Sequence, residues 1–136
     1  MTNENRKQNI ADELARAAQA LQAARALLAA GLHNDAVSRA YYGVLHLLRA
    51  ALLTKGVEPR THGGAIHLYN VELVRVGLVP ATHNRVLAGL QRARELADYD
   101  AAVVFTEEDA RAALADAEVV SAAIREMLAR DGWLAS

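Results

Sequence analysis

Apolar residues recur at helical spacing in several stretches of the chain, and polar or glycine-containing segments separate them. In the first stretch, residues 9–30, Leu14, Leu21 and Leu28 follow one another at intervals of seven. Residues spaced in this way lie on one side of an α-helix, so the pattern predicts an amphipathic helix. We expect Gly31 to end it, because glycine readily adopts the left-handed conformation that follows a helix.

A second and a third helix are predicted next. The second begins where Asn34 or Asp35 can cap free backbone N–H groups, and it ends at Gly56. Its apolar stripe consists of Val37, Tyr41, Val44, Leu48 and Leu52. The spacing of residues 66–73 then predicts a short third helix that stops near Gly77.

Two longer helices complete the predicted fold. Pro80 is expected in the first turn of a fourth helix, which ends near Tyr99 and Asp100. Residues 106–109 match a capping box, so the last helix is predicted to begin there and to run to about Arg130. These elements predict an all-α fold, an up-and-down antiparallel four-helix bundle with a short additional helix.

The composition agrees with one helical domain. Of the 136 residues, 30 are Ala and 19 are Leu, while aromatic residues make up only 4%. Residues that favour strands are therefore scarce, which argues against an all-β fold. The length fits a single domain over residues 1–136, with its core at about residues 9–130.

The cysteine content and the charge of the chain exclude several classes of function. The chain has no cysteine, which excludes disulfides and thiolate metal sites and suits a reducing compartment. With no apolar signal segment at residues 1–9 and no long apolar run, we expect a cytoplasmic protein. The net charge of −1 excludes nonspecific nucleic-acid binding by a broadly basic surface, but it leaves room for a local cluster of arginines.

Four polar side chains on the second helix are candidates for recognising phosphate groups. Arg39, Tyr42, His46 and Arg49 are spaced three, four and three apart, which places them about 140° from the apolar stripe. Guanidinium groups suit phosphate oxygens, and a Tyr or His ring can stack or exchange protons. In the alternative interpretation the arginines are solvated, Tyr42 packs at the edge of the core, and His46 is hydrogen-bonded within the bundle.

The fourth helix carries a second candidate group. Arg94 and Asp98 are four residues apart and can pair on one side of the helix, and Tyr99 follows directly. An Asp near a helix C-terminus opposes the helix dipole, so local helix stability does not explain Asp98. The alternative is an ordinary ion pair at the surface.

A loop histidine is the third candidate. His62 is followed by Gly63 and Gly64 at the start of the third helix, where free backbone N–H groups can bind an anion. An ordinary capping or packing role is the alternative. His62 and His67 are five residues apart, which does not match the spacing of two metal ligands on one helix turn, so we predict no metal site and no cofactor.

Several blocks of the sequence together resemble small prokaryotic HEPN-domain proteins. In order, they are SRAYYGVLH at residues 38–46, THGG at 61–64, RELADY at 94–99 and TEEDA at 106–110. The resemblance extends over roughly residues 35–128. It implies a HEPN-like helical bundle that commonly forms a homodimer, with a cleft near the dimer interface that contacts nucleotide or RNA.

The same resemblance implies a cellular role. Many such proteins pair with a minimal nucleotidyltransferase as toxin and antitoxin, and some are metal-independent ribonucleases. On this basis Arg94, Asp98 and Tyr99, together with His46, are the candidate catalytic residues. The candidate nucleotide- or RNA-binding residues are Arg39, Tyr42, Arg49 and His62.

This sequence departs from the ribonucleases of the family at one motif. They carry an Arg and a His with four to six residues between them, whereas here Arg94 is followed by Glu-Leu-Ala-Asp-Tyr-Asp. Asp98 and Tyr99 stand in place of the expected His, which leaves cleavage in question. If cleavage occurs, we expect His46 or His62 to assist proton transfer while Arg94 stabilises phosphate charge. Two alternatives therefore stand beside a binding subunit: a metal-independent ribonuclease toxin, and a helical adaptor that binds a protein partner.

Overall fold

The computed structural model describes residues 2–134, apart from the side chain of His62. All regular secondary structure in this part of the chain is helical, which confirms the predicted fold class. A π-helical turn, Asn70–Val74, continues the short third helix directly. The α-helices are α1 (Asn3–Ala29), α2 (His33–Leu53), α3 (His62–Tyr69), α4 (His83–Tyr99) and α5 (Glu107–Arg130).

Helix α2 is the centre of the bundle. It packs against α1, α3, α4 and α5, whereas α1 and α4 each have far smaller contacts with α5. Small residues let its neighbours approach closely, and Gly43 is the clearest case. A Cβ atom at Gly43 would lie 2.8 Å from Cδ2 of Leu21 and 3.4 Å from the carbonyl oxygen of Ala17, both on α1. Glycine therefore allows the present α1–α2 contact, and a larger residue at this position would force the Leu21 side chain to move.

The starts of α1 and α2 differ from the prediction. Helix α1 begins at Asn3 rather than near residue 9, because the Thr2 side chain accepts a hydrogen bond from the Asn5 amide at 3.1 Å. Helix α2 begins at His33, and neither Asn34 nor Asp35 caps it. The added turn of α1 is polar and exposed, so the spacing of apolar residues carried no sign of it.

Asn34 has a different role from the predicted cap. Its side-chain oxygen accepts from the Phe105 amide, and its side-chain nitrogen donates to the Val103 carbonyl, each at 2.9 Å. These two bonds fasten the connector between α4 and α5 to the start of α2. The capping box at the start of α5 is confirmed, since Thr106 and Asp109 bond each other's backbone amides.

The prediction for Pro80 was wrong in position. Helix α4 begins at His83, and Pro80 lies in the preceding turn, where its carbonyl accepts from the His83 amide at 3.1 Å. The His83 ring is buried, and its Nδ1 lies 2.9 Å from the Tyr69 hydroxyl. This buried hydrogen bond joins α3 to the start of α4.

Within the described residues, none of the helices combines the length and apolar character needed to cross a bilayer.

We expect Gly43→Ala to lower the free energy of unfolding by about 1–3 kcal/mol, because the added methyl group overpacks the α1–α2 contact. Gly89→Ala is the matched control, since Gly89 lies on α4 with open space where its Cβ would be. That change should stabilise the protein by about 0.5–1 kcal/mol through helix propensity. Urea denaturation of both variants measures the difference, and equal effects would contradict the close approach at Gly43.

A pH dependence follows from His83. Burial lowers the pKa of its imidazole below the ordinary value of 6.5, so below that pH the unfolded chain binds more protons than the folded chain. The free energy of unfolding should be greatest above about pH 6.5 and fall with decreasing pH, by at most about 1.4 kcal/mol per pH unit for this group. Urea denaturation between pH 7.5 and 5.0 should show a shallower dependence in His83→Gln. An unchanged slope would show that His83 is not the source.

Candidate functional site

Arg94 on α4 is buried, with only 7% of its surface exposed, although arginine rarely occupies such a position. Its guanidinium carbon lies 5.0 Å from the ring centre of Tyr41 on α2 and 5.6 Å from that of Tyr99. Its Nη1 donates to the Tyr99 hydroxyl at 3.3 Å. Two aromatic rings therefore hold the charged group in a fixed position at the α2–α4 contact.

Asp98 connects the two helices at the same place. One of its carboxylate oxygens lies 3.7 Å from Nη1 of Arg94, and the other accepts from the Ser38 hydroxyl on α2 at 2.5 Å. Only about a quarter of the Asp98 side chain is exposed. The position of Asp98 near the end of α4 is thus explained by a contact between helices rather than by helix stability.

The arginine remains charged in this environment. Burial by itself lowers the pKa of Arg94, but hydrogen bonds and charge interactions with Tyr99 and Tyr41 outweigh it and raise the pKa above its ordinary value. Burial also raises the pKa of Tyr41, and the nearby Arg94 offsets only part of that rise. At neutral pH the pair is therefore a guanidinium cation against an uncharged phenol. The Nε–H of Arg94 has no hydrogen-bond partner within the described residues.

Arg39 and Tyr42 extend this group along α2. The guanidinium carbon of Arg39 lies 5.0 Å from the ring centre of Tyr42, and the Tyr42 ring meets Tyr41 edge to face at 5.7 Å. Direct contacts thus connect two arginines and three tyrosines from Arg39 through to Tyr99, a residue that is 78% exposed. We call these residues the Arg94 cluster; its members are Ser38, Arg39, Tyr41, Tyr42, Arg94, Asp98 and Tyr99.

The surface beside the cluster is a shallow depression of mixed charge. It is lined by Arg92, Arg94, Glu95, Leu96, Tyr99 and Asp100. Arg94 and Tyr99 therefore belong both to the helix contact and to a surface that a ligand can reach. The combination of fixed guanidinium, exposed aromatic ring and nearby carboxylates can bind an anion that also offers a flat face for stacking.

His46 and Arg49 lie in a different part of α2 from the cluster. The Nδ1 atom of His46 is 2.7 Å from a carboxylate oxygen of Glu13 on α1, which is the internal hydrogen bond of the alternative interpretation. Arg49 lines a pocket of about 380 Å³ together with Asn9, Asp12 and Glu13. The four polar residues predicted to act together on α2 are therefore divided. Arg39 and Tyr42 belong to the Arg94 cluster, whereas His46 and Arg49 lie beside residues of α1.

The prediction for His62 concerns a side chain outside the described residues. The backbone there begins α3, and the Thr61 hydroxyl accepts from the Gly64 amide at 2.9 Å. One of the amides expected to be free for an anion is thus occupied by an ordinary cap. Among the described residues, no three His, Cys, Asp or Glu side chains are grouped closely enough to hold a metal ion.

Ser38 and Tyr41 are site residues that the sequence analysis did not identify. Tyr41 was placed in the apolar stripe, and it is indeed buried, but it also supports the Arg94 guanidinium. A signal was present in the sequence, because a tyrosine in a helix core needs a polar partner for its hydroxyl. Ser38 carried no comparable signal.

The sequence of this helical bundle matches a known family. The HEPN domain family matches residues 10–127, and the chain belongs to that family. It is also similar to a protein of Methanocaldococcus jannaschii named "Putative toxin MJ0605", with 31% identity over 112 residues. This alignment covers 79% of the present chain and 83% of the archaeal protein.

Proposed function

We propose that this protein is the HEPN subunit of a toxin–antitoxin pair and that it binds RNA or nucleotide at the Arg94 cluster. The observation that carries the proposal is the buried, charged guanidinium of Arg94, held between tyrosines at the edge of a surface depression. The planar guanidinium group of a buried arginine is held in a fixed orientation, and such groups frequently recognise phosphate.

The chemistry of the cluster fits single-stranded nucleic acid. Guanidinium groups at Arg94 and Arg39 can each donate to phosphate oxygens, and the exposed ring of Tyr99 offers a face on which an unpaired base can stack. Binding of this kind needs only a few local positive charges, so the net charge of −1 is no obstacle.

RNA cleavage is a second candidate function, favoured by the carboxylate of Asp98 beside Arg94. Asp98 and the Tyr99 hydroxyl, which both lie against the Arg94 guanidinium, are groups that can take or give a proton. His46 is hydrogen-bonded to Glu13 on the α1 side of the bundle, so cleavage at the cluster would proceed without it.

The proposal includes two kinds of protein partner. The archaeal relative's name supports a toxin role, and the family resemblance supports a minimal nucleotidyltransferase as the antitoxin. A homodimer is supported by large side chains that are exposed on α4 and in the connector after it, namely Leu96, Tyr99 and Val104. Val104 and the exposed Leu32 line a second depression, separate from the one beside the cluster.

The binding proposal predicts that Arg94→Lys weakens the affinity for a short single-stranded RNA by about tenfold or more. Lysine keeps the charge but loses the planar fork, and a charge-assisted hydrogen bond contributes about 1.5–3 kcal/mol. Arg85→Ala is the control, because it removes an exposed positive charge from the start of α4. Fluorescence anisotropy at fixed salt measures both, with circular dichroism to verify folding.

Equal binding by wild type and Arg94→Lys would contradict the proposed site. Absence of RNA and nucleotide binding, together with binding of a protein partner, would instead support the adaptor. Cleavage that resists EDTA and disappears in Asp98→Asn would support the ribonuclease.

The homodimer predicts a mass of twice the 14.6 kDa chain in light scattering at micromolar concentration. Val104→Asp should shift the mass toward that of one chain, because Val104 is an apolar residue that is 81% exposed, and a charge in a contact there opposes association. Val76→Asp, at a residue 61% exposed beyond the π-helical turn, should leave the dimer intact. A single-chain mass for the wild type would overturn the homodimer.

A further inference from the structure

We infer that Asp98 makes the Arg94 cluster selective for phosphate groups that carry one negative charge, the internal phosphodiesters of an RNA strand, over terminal phosphates that carry two. This inference rests on the proposed function, since it concerns which phosphate the same cluster accepts.

The first observation is that Asp98 cannot easily leave Arg94. Its carboxylate lies 3.7 Å from Arg94 and is held on its other side by the Ser38 hydroxyl across the helix contact. A phosphate that reaches the Arg94 guanidinium therefore meets the Asp98 carboxylate as well. Ser38 acts as a positioning residue, because it fixes the orientation of the Asp98 side chain.

The second observation is the balance of charge around the depression. Arg92 and Arg94 supply two positive charges there, while Glu95, Asp98 and Asp100 supply three negative ones. Arg39 adds a positive charge at the far end of the cluster, beyond Tyr42. The electrostatic potential that attracts an anion to Arg94 is therefore weak, even though Arg94 itself is charged.

A weak potential discriminates between anions by their charge. The attraction of an anion to fixed charges grows in proportion to its charge, whereas the free energy lost on removing it from water grows with the square of that charge. Where the attraction is small, the free energy lost on removing the anion from water dominates, and the doubly charged anion is disfavoured. Neutralising Asp98 would raise the potential and benefit the doubly charged anion twice as much on a logarithmic scale.

Adenosine 5′-monophosphate and its methyl ester are suitable probes. The second pKa of a phosphate monoester is near 6, so at pH 8 the monophosphate carries two negative charges. The methyl ester has one fewer ionisable oxygen and carries one negative charge. Both contain the same base and sugar. Each is used to displace a fluorescent single-stranded RNA from the full-length protein at constant ionic strength.

For the wild type we expect the methyl ester to compete better than the monophosphate. In Asp98→Asn, which keeps an oxygen to accept from Ser38, both should gain affinity, and the fold-gain of the monophosphate should be about the square of that of the ester. Ser38→Ala should produce a smaller change in the same direction, because it releases the Asp98 side chain. Glu126→Gln, at an exposed carboxylate on α5, is the control for net charge and should leave the affinities of both nucleotides unchanged.

The outcomes distinguish a failure of RNA binding from a failure of selectivity by Asp98. If the fluorescent RNA does not bind the wild type, the proposed function itself fails. If the RNA binds, two results would overturn selectivity by Asp98 while leaving RNA binding intact. One is that the monophosphate competes as well as its ester in the wild type. The other is that both nucleotides gain affinity by the same factor in Asp98→Asn.

Discussion

The position of α2 at the centre of the bundle is the constraint on which the rest of the structure depends. A helix that packs against all the others must have small residues at its close contacts, and Gly43 against Leu21 is the tightest of these. Polar groups on such a helix must find partners on its neighbours. Tyr41 finds Arg94, and Ser38 finds Asp98, so the packing of α2 against α4 also creates the candidate site.

Charge placement, rather than total charge, determines what this surface can bind. A net charge of −1 excludes a broadly basic surface, yet two arginines and three tyrosines are connected by direct contacts from Arg39 to Tyr99. Asp98 limits the attraction that these arginines exert on anions. The proposed ligand, single-stranded RNA, combines a modest charge at each phosphate with bases that can stack, which agrees with this balance of charges.

The sequence predicted the fold well because apolar spacing reports which side of a helix is buried. It failed at the starts of α1 and α2, since the polar first turn of α1 and the connector bonds of Asn34 leave no trace in that spacing. For the site, the sequence identified Arg94, Asp98 and Tyr99 on one helix and Arg39 and Tyr42 on another. It could not reveal that His46 turns toward Glu13, because residues on one face of a helix can contact different neighbours.

The most direct test of the account is a titration of ¹⁵N-labelled protein with a short single-stranded RNA, followed by NMR. The account predicts chemical-shift changes at the Nε–H of Arg94 and at the amides of residues 38–42 and 94–99. Changes confined to residues 9–13 and Arg49, which line the separate pocket beside α1, would contradict it.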